Sequence, residues 1–137
     1  MKILFVCKHN CFRSKVAEAY FNKINQNKSI KAKSAGLIKG SKVREKTIKA
    51  VKELGIKIKC PARGISSKLL KWQNMLVIVA DNVPSNIFLN KKFGKPLIVW
   101  KIKDTSDNKK EQIQKISKEI MRRVDLLNKL IKNENNK

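Results

Sequence analysis

The chain has 137 residues, 42% of them hydrophobic, which suits one domain closed around one core. Its 33 Lys and Arg against 10 Asp and Glu give a formal charge of +23. The lysines run from Lys2 to Lys137 with few aromatics between them, so we read a surface that attracts anions rather than a specific nucleic-acid interface. No apolar run approaches the roughly 20 residues of a membrane span. The opening KILFVC is too short for a signal-peptide core, so a cytoplasmic protein without membrane association is expected. Three cysteines and one histidine support neither a disulfide scaffold nor a zinc site, and predict free thiols in a reducing compartment.

KILFVC, ending at Cys7, reads as a buried strand. From Arg13 to about Gln26, Val16, Ala17, Tyr20, Phe21 and Ile24 recur at helical spacing. IKAKSAG, 30–36, reads as a second strand. Ser41 to Leu54 reads as a helix that turns Val43, Ile48, Val51 and Leu54 inward and stops at Gly55. Ser66 is placed to cap a turn or two of helix reaching Lys71. MLVIVA, 75–80, is a third strand, followed by a turn and a short helix to about Leu89. PLIVW, 96–100, is a fourth strand, and 101–110 is a polar loop. Ile113, Ile116, Ile120, Val124, Leu127 and Leu130 define one face of a long last helix, with fraying expected after Ile131 and a disordered tail from about 132. Continuous apolar strands alternating with helices predict a single α/β domain over 1–137. The expected form is a three-layer fold: a four-stranded parallel sheet with helices on both faces. Ligands in such sheets bind beyond the carboxyl ends of the strands.

CKHNCFRS, residues 7–14, lies at such an end, between the first strand and the first helix. Backbone N–H groups in this kind of loop, with the helix N-terminus behind them, form a nest for an anion. A cysteine at the base of the nest, near Arg13, is in surroundings that favour a negatively charged sulfur and so a nucleophile. Arg13 is one of only five arginines against 28 lysines. Its planar fork holds two phosphoryl oxygens at once, which lysine cannot do. Ser14 can hydrogen-bond the Cys7 sulfur, and Asn10 tolerates the positive φ of a tight loop.

With these residues in place the chain resembles the low-molecular-weight protein tyrosine phosphatase family, which also includes thioredoxin-coupled arsenate reductases. The likeness extends through ILFVCKHNCFRSKVAEAYF, SAG at 34–36, ELGIKI, ARGIS, LVIVAD and WKIKDTSD. It implies a phosphatase loop between strand one and helix one. Lys8, His9, Asn10, Cys11, Phe12, Arg13 and Ser14 would be the phosphate-binding residues. It further implies catalysis by Cys7, Arg13 and an aspartic acid, with no metal or cofactor. Cys7 forms a cysteinyl-phosphate, and the acid protonates the leaving group and then activates water. Asp104 is preferred as that acid, because it follows the fourth strand on a loop able to fold over the pocket. Asp107 is the rival, and is also placed to cap the last helix.

The chain departs from the family pattern at several positions. His9 stands where glycine is common. Phe12 takes the place of a second loop cysteine, and Cys11 comes one residue early, read here as a small residue facing the back of the loop. Thr105 and Ser106 replace the proline and aromatics after the acid, and SAGLIKGSK has no aromatic pocket wall. Cys60 replaces a frequent histidine, and 80–94 lacks the two relay cysteines of the reductases. The leading expectation is a phosphatase for phosphotyrosine-like esters on a protein or small anionic substrate. The alternative is an arsenate reductase drawing on a thiol reductant. A third reading is a passive phosphate- or nucleic-acid-binding nest.

Overall fold

A computed structural model describes residues 1–59 and 61–135. The apolar run KILFVC forms β1 (Lys2–Cys7) in the interior of a four-stranded, wholly parallel sheet. β2 (Lys31–Gly36) pairs on one side of it and β3 (Met75–Val79) on the other, and β4 (Leu97–Trp100) lies beyond β3. The spatial order is therefore β2-β1-β3-β4. The chain leaves β1 for one flank and later returns to the other, so the carboxyl end of β1 is the switch point of the sheet. Cys7 is the last residue of that strand.

Strand alternation sorts the side chains into two cores. Ile3, Phe5, Met75, Val77 and Val79 face α1 (Arg13–Ile24), α2 (Glu45–Lys52) and α4 (Lys110–Asn135). Leu4, Val6, Leu76 and Ile78 face α3 (Ser67–Trp72) and the segment carrying Val83 and Phe88, which includes a 3₁₀ turn at Ser85–Ile87. The expected three layers are thus present. Ser66 caps α3, its Oγ accepting from Leu69 N at 3.2 Å. Among the described residues no helix is long and apolar enough to cross a membrane.

The differences from expectation are local. α2 begins at Glu45 rather than Ser41, because Lys42 is held in an isolated antiparallel bridge to Pro61 and Val43 goes into the core ahead of the helix. Leu54 is only half-buried, and Ile56, just past the turn at Gly55 (φ 84°), takes the inward position. The segment before Leu89 forms only the 3₁₀ turn. β4 is an edge strand whose Val99 is exposed, so it is less covered than a continuous apolar run suggests. α4 continues to Asn135, through KNEN, which contains no helix breaker.

On α4 the buried stripe is Ile113, Ile120, Val124, Leu127 and Ile131, whereas Leu130 is 62% exposed. A helix of 3.6 residues per turn keeps 124, 127 and 131 on one side and turns 130 away. Ile131→Ala is therefore expected to destabilise by about 2–5 kcal/mol. Leu130→Ala should change stability by no more than about 0.5 kcal/mol. Urea unfolding of the two variants checks this, and equal losses would put the stripe on the wrong face.

Candidate active site

Residues 8–12 leave β1 and bend back into α1 as a tight loop. The turn is made by Asn10, at φ 58°. Two glycines let the neighbouring chain come close. A Cβ at Gly36 would lie 2.5 Å from the His9 carbonyl carbon, and one at Gly40 would lie 2.4 Å from Cys11 Sγ. The chain after β2 then bonds the loop along its length: Leu37 N donates to Cys7 O, Ile38 N to Lys8 O, and Gly40 N to His9 O, at 2.9–3.1 Å. These backbone bonds hold the shape of the loop.

Cys7 is 2% exposed. Its sulfur lies 2.9 Å from Ser14 Oγ and receives Asn10 N–H at 3.3 Å. Asn10 Nδ2 donates to Ser14 Oγ at 2.7 Å, so the hydroxyl uses a lone pair there and keeps its hydrogen for the sulfur. Asn10 Nδ2 also donates to Ser34 Oγ at 2.9 Å, its Oδ1 accepts from Arg63 N at 2.9 Å, and Ser34 Oγ donates to Glu18. Both contacts place a hydrogen-bond donor on the Cys7 sulfur. Cys11 is in a different environment. Burial pushes its thiol up, and Cys7 and Asp104 nearby add to the effect, so it favours the neutral form.

Arg13 is the first residue of α1 and is 1% exposed. Its Nη1 donates to Ile102 O at 2.8 Å and its Nη2 to Asn82 Oδ1 at 3.2 Å. Asp81 Oδ1 and Asp104 Oδ2 each lie 3.7 Å from the guanidinium. The side chain is therefore aimed by groups at the ends of β3 and β4. It borders a cleft of about 350 Å³ with Cys7 in its wall.

Among the expected phosphate-binding residues, His9, Cys11, Phe12 and Arg13 line this cleft with Cys7 and Asp104. Lys8, Asn10 and Ser14 do not; Asn10 and Ser14 are fully buried supports. Cys11 faces the cleft rather than the back of the loop, because the left-handed backbone at Asn10 sends that residue's own side chain to the back. Cys60 lies outside the described residues. Asp107 is not in the cleft wall: its Oδ1 accepts from Lys109 N at 2.9 Å, in the turn before α4. Gln112 reaches back from α4, its Oε1 accepting from Thr105 Oγ1 at 2.6 Å and Ser106 N at 2.9 Å, which ties down the loop that carries Asp104.

Sequence reasoning did not find Asp81, Asn82, Ser34 or the Ile102 carbonyl, nor Arg44 and Thr47 in the cleft wall. Asp81 and Asn82 had a signal: they sit just beyond the carboxyl end of a predicted strand.

A strand-ending cysteine, a tight loop and a buried arginine thus meet at the switch point of the parallel sheet. Residues 2–137 match the family described as low molecular weight phosphotyrosine protein phosphatase, and the chain belongs to that family. No curated protein matches its sequence. Its fold is similar to that of the YwlE arginine phosphatase from Geobacillus stearothermophilus, at TM-score 0.83 and 19% identity over 97% of this chain and 94% of that one. An arsenate reductase from Archaeoglobus fulgidus is similar at TM-score 0.71 and 29% identity, over 92% of this chain and 98% of that one. A low molecular weight protein tyrosine phosphatase from T. tengcongensis is similar at TM-score 0.74 and 24% identity, over 97% and 99%. The family thus spans phosphatases and arsenate reductases.

Proposed function

We propose that this chain is a cytoplasmic, cysteine-dependent phosphatase that hydrolyses phosphotyrosine-like phosphomonoesters through a cysteinyl-phosphate. The observation that carries this reading is Asp104, a carboxylate in the same cleft as Cys7 and 3.7 Å from Arg13. A leaving phenolate needs a proton, whereas a passive anion nest has no use for a donor.

In the first step Cys7 Sγ attacks phosphorus in line with the ester oxygen. The P–O bond breaks as the S–P bond forms, and the departing oxygen takes the proton of Asp104. Arg13 and the loop amides hold the non-bridging oxygens as charge redistributes over them. In the second step water attacks phosphorus and gives a proton to Asp104, and the S–P bond breaks to return Cys7. The leaving sulfur is received by Ser14 and the Asn10 amide, which already bond it in the resting site. The cleft wall is polar and basic, with Lys42, Arg44, Thr47 and Thr105, which supports esters with acidic neighbours over bare aromatic ones.

The reduced full chain, without added metal or thiol, is expected to hydrolyse aryl phosphates. Asp104→Asn should lower kcat on phenyl phosphate by about 10²-fold or more, and much less on p-nitrophenyl phosphate, whose phenolate leaves unaided. Asp107→Asn should leave both rates near wild type. Equal losses on the two esters would remove Asp104 from the acid role.

The 29% identity to the Archaeoglobus reductase supports a second reading, arsenate reduction at the same loop. That reaction consumes thiol. Residues 81–94 contain no cysteine, so the electrons would come from Cys11, Cys60 or an external thiol reductant. Inactivity on every phosphomonoester, together with thiol-dependent arsenate reduction, would replace the first reading with the second.

A further inference from the structure

Behind the loop, on the side away from Cys7, lies a second hollow of about 520 Å³. We propose that it is a binding site for a small polyanion, a molecule carrying two or more phosphate or carboxylate groups, with Lys15 as its central cation.

Lys15 is the third residue of α1 and is only 8% exposed. Its ammonium has no hydrogen bond, and no carboxylate within 4.0 Å, among the described residues, although it borders the hollow. No fully buried side-chain nitrogen among those residues lacks a partner, so the ammonium keeps some contact with solvent, and it lines the hollow. Its placement is unfavourable on two further counts. It sits in the first helical turn, where the helix dipole opposes a cation. Burial pushes its pKa down, Glu18 opposes this, and Arg63 and Lys59 add to the lowering. An anion in the hollow would relieve each of these costs.

The charge around the hollow selects the ligand class. Among the described residues, Lys15, Lys39, Lys57, Lys59 and Arg63 line it, against Glu18 alone. Glu18 is itself engaged by the Ser34 hydroxyl. Five cations facing one carboxylate leave an excess that a single monoanion does not balance. The hollow is also larger than the Cys7 cleft of about 350 Å³, so it has room for more than one oxyanion group.

The site is wired to the loop. Arg63 N donates to Asn10 Oδ1, Asn10 Nδ2 donates to Ser14 Oγ, and Ser14 Oγ meets Cys7 Sγ. A ligand held by Arg63 and Lys15 would thus bear on the group that positions the Cys7 sulfur.

The test is a titration of the ¹⁵N-labelled full chain with pyrophosphate, against sodium chloride at matched ionic strength. Amide shifts of Ala19, Arg63 and Gly64 report the hollow, and those of Phe12 to Ser14 report the loop. In the wild type the two sets should saturate at different concentrations. Lys15→Met keeps the apolar stem and removes the charge. It should weaken the response at Ala19 and Gly64 by about tenfold or more and leave the midpoint of the loop's own saturation in place. Lys15→Arg should restore the response. Shifts at Ala19 and Gly64 that show only the loop midpoint would overturn the proposal. So would a response unchanged in Lys15→Met, or one reproduced by sodium chloride. The readout is binding, so it stands apart from whether aryl phosphates turn over.

Discussion

Cys7→Ser is expected to lower aryl phosphate turnover by roughly 10⁴-fold or more while leaving the fold intact. A serine fits the space of the cysteine, so the reason is chemical. The groups at position 7 are donors: Asn10 N–H at 3.3 Å and the Ser14 hydroxyl at 2.9 Å. They donate hydrogen bonds to the atom at this position, but they cannot take a proton from an alcohol. Cys11, kept toward its neutral form by burial, does not substitute as nucleophile. The check is the aryl phosphate assay beside a urea unfolding curve. Activity within tenfold of wild type in a folded Cys7→Ser would show that another group attacks phosphorus.

Arg13→Lys is the second large effect, expected to cost about 10³-fold in kcat/KM. Lysine keeps the charge and loses the fork. In the resting site the guanidinium already spends one arm on the Ile102 carbonyl and the other on Asn82, and this double anchoring orients its plane. An ammonium cannot satisfy both anchors and also hold two phosphoryl oxygens. Stability should fall as well, by about 1–3 kcal/mol, because the carbonyl of buried Ile102 loses its donor. Measuring activity and unfolding together separates the two effects. A folded Arg13→Lys with more than a tenth of wild-type kcat/KM would show that charge, not bidentate geometry, is what the loop needs.

What could be read from the sequence was what is encoded locally. KILFVC announces a buried strand by composition alone, and CKHNCFRS carries its cysteine, its arginine and its turn residue within eight positions. Asn10 takes the positive φ its residue type permits, and Ser14 makes the contact its spacing allows. Properties set by packing across the chain were not legible. The partners of Arg13 come from 68 to 91 residues away and meet it only because parallel strands end at one edge of the sheet. The start of α2 was missed because Lys42 pairs with Pro61, nineteen residues on, and no local pattern records a bridge. Leu130 and Ile131 are equally apolar, and only the face of α4 pressed on the sheet decides between them. Cys11 was misplaced because a single left-handed residue before it exchanges front for back.

The two carboxylates facing Arg13 bear on the rhythm of the turnover proposed above. With Asp81 and Asp104 both 3.7 Å away, the guanidinium is partly neutralised before any ligand arrives. An anion therefore gains only the excess of its own attraction over theirs, and inorganic phosphate is held less firmly than by a bare buried arginine. In a protein of charge +23, where anions gather readily, that internal competition would keep the proposed phosphatase from being clogged by its own product.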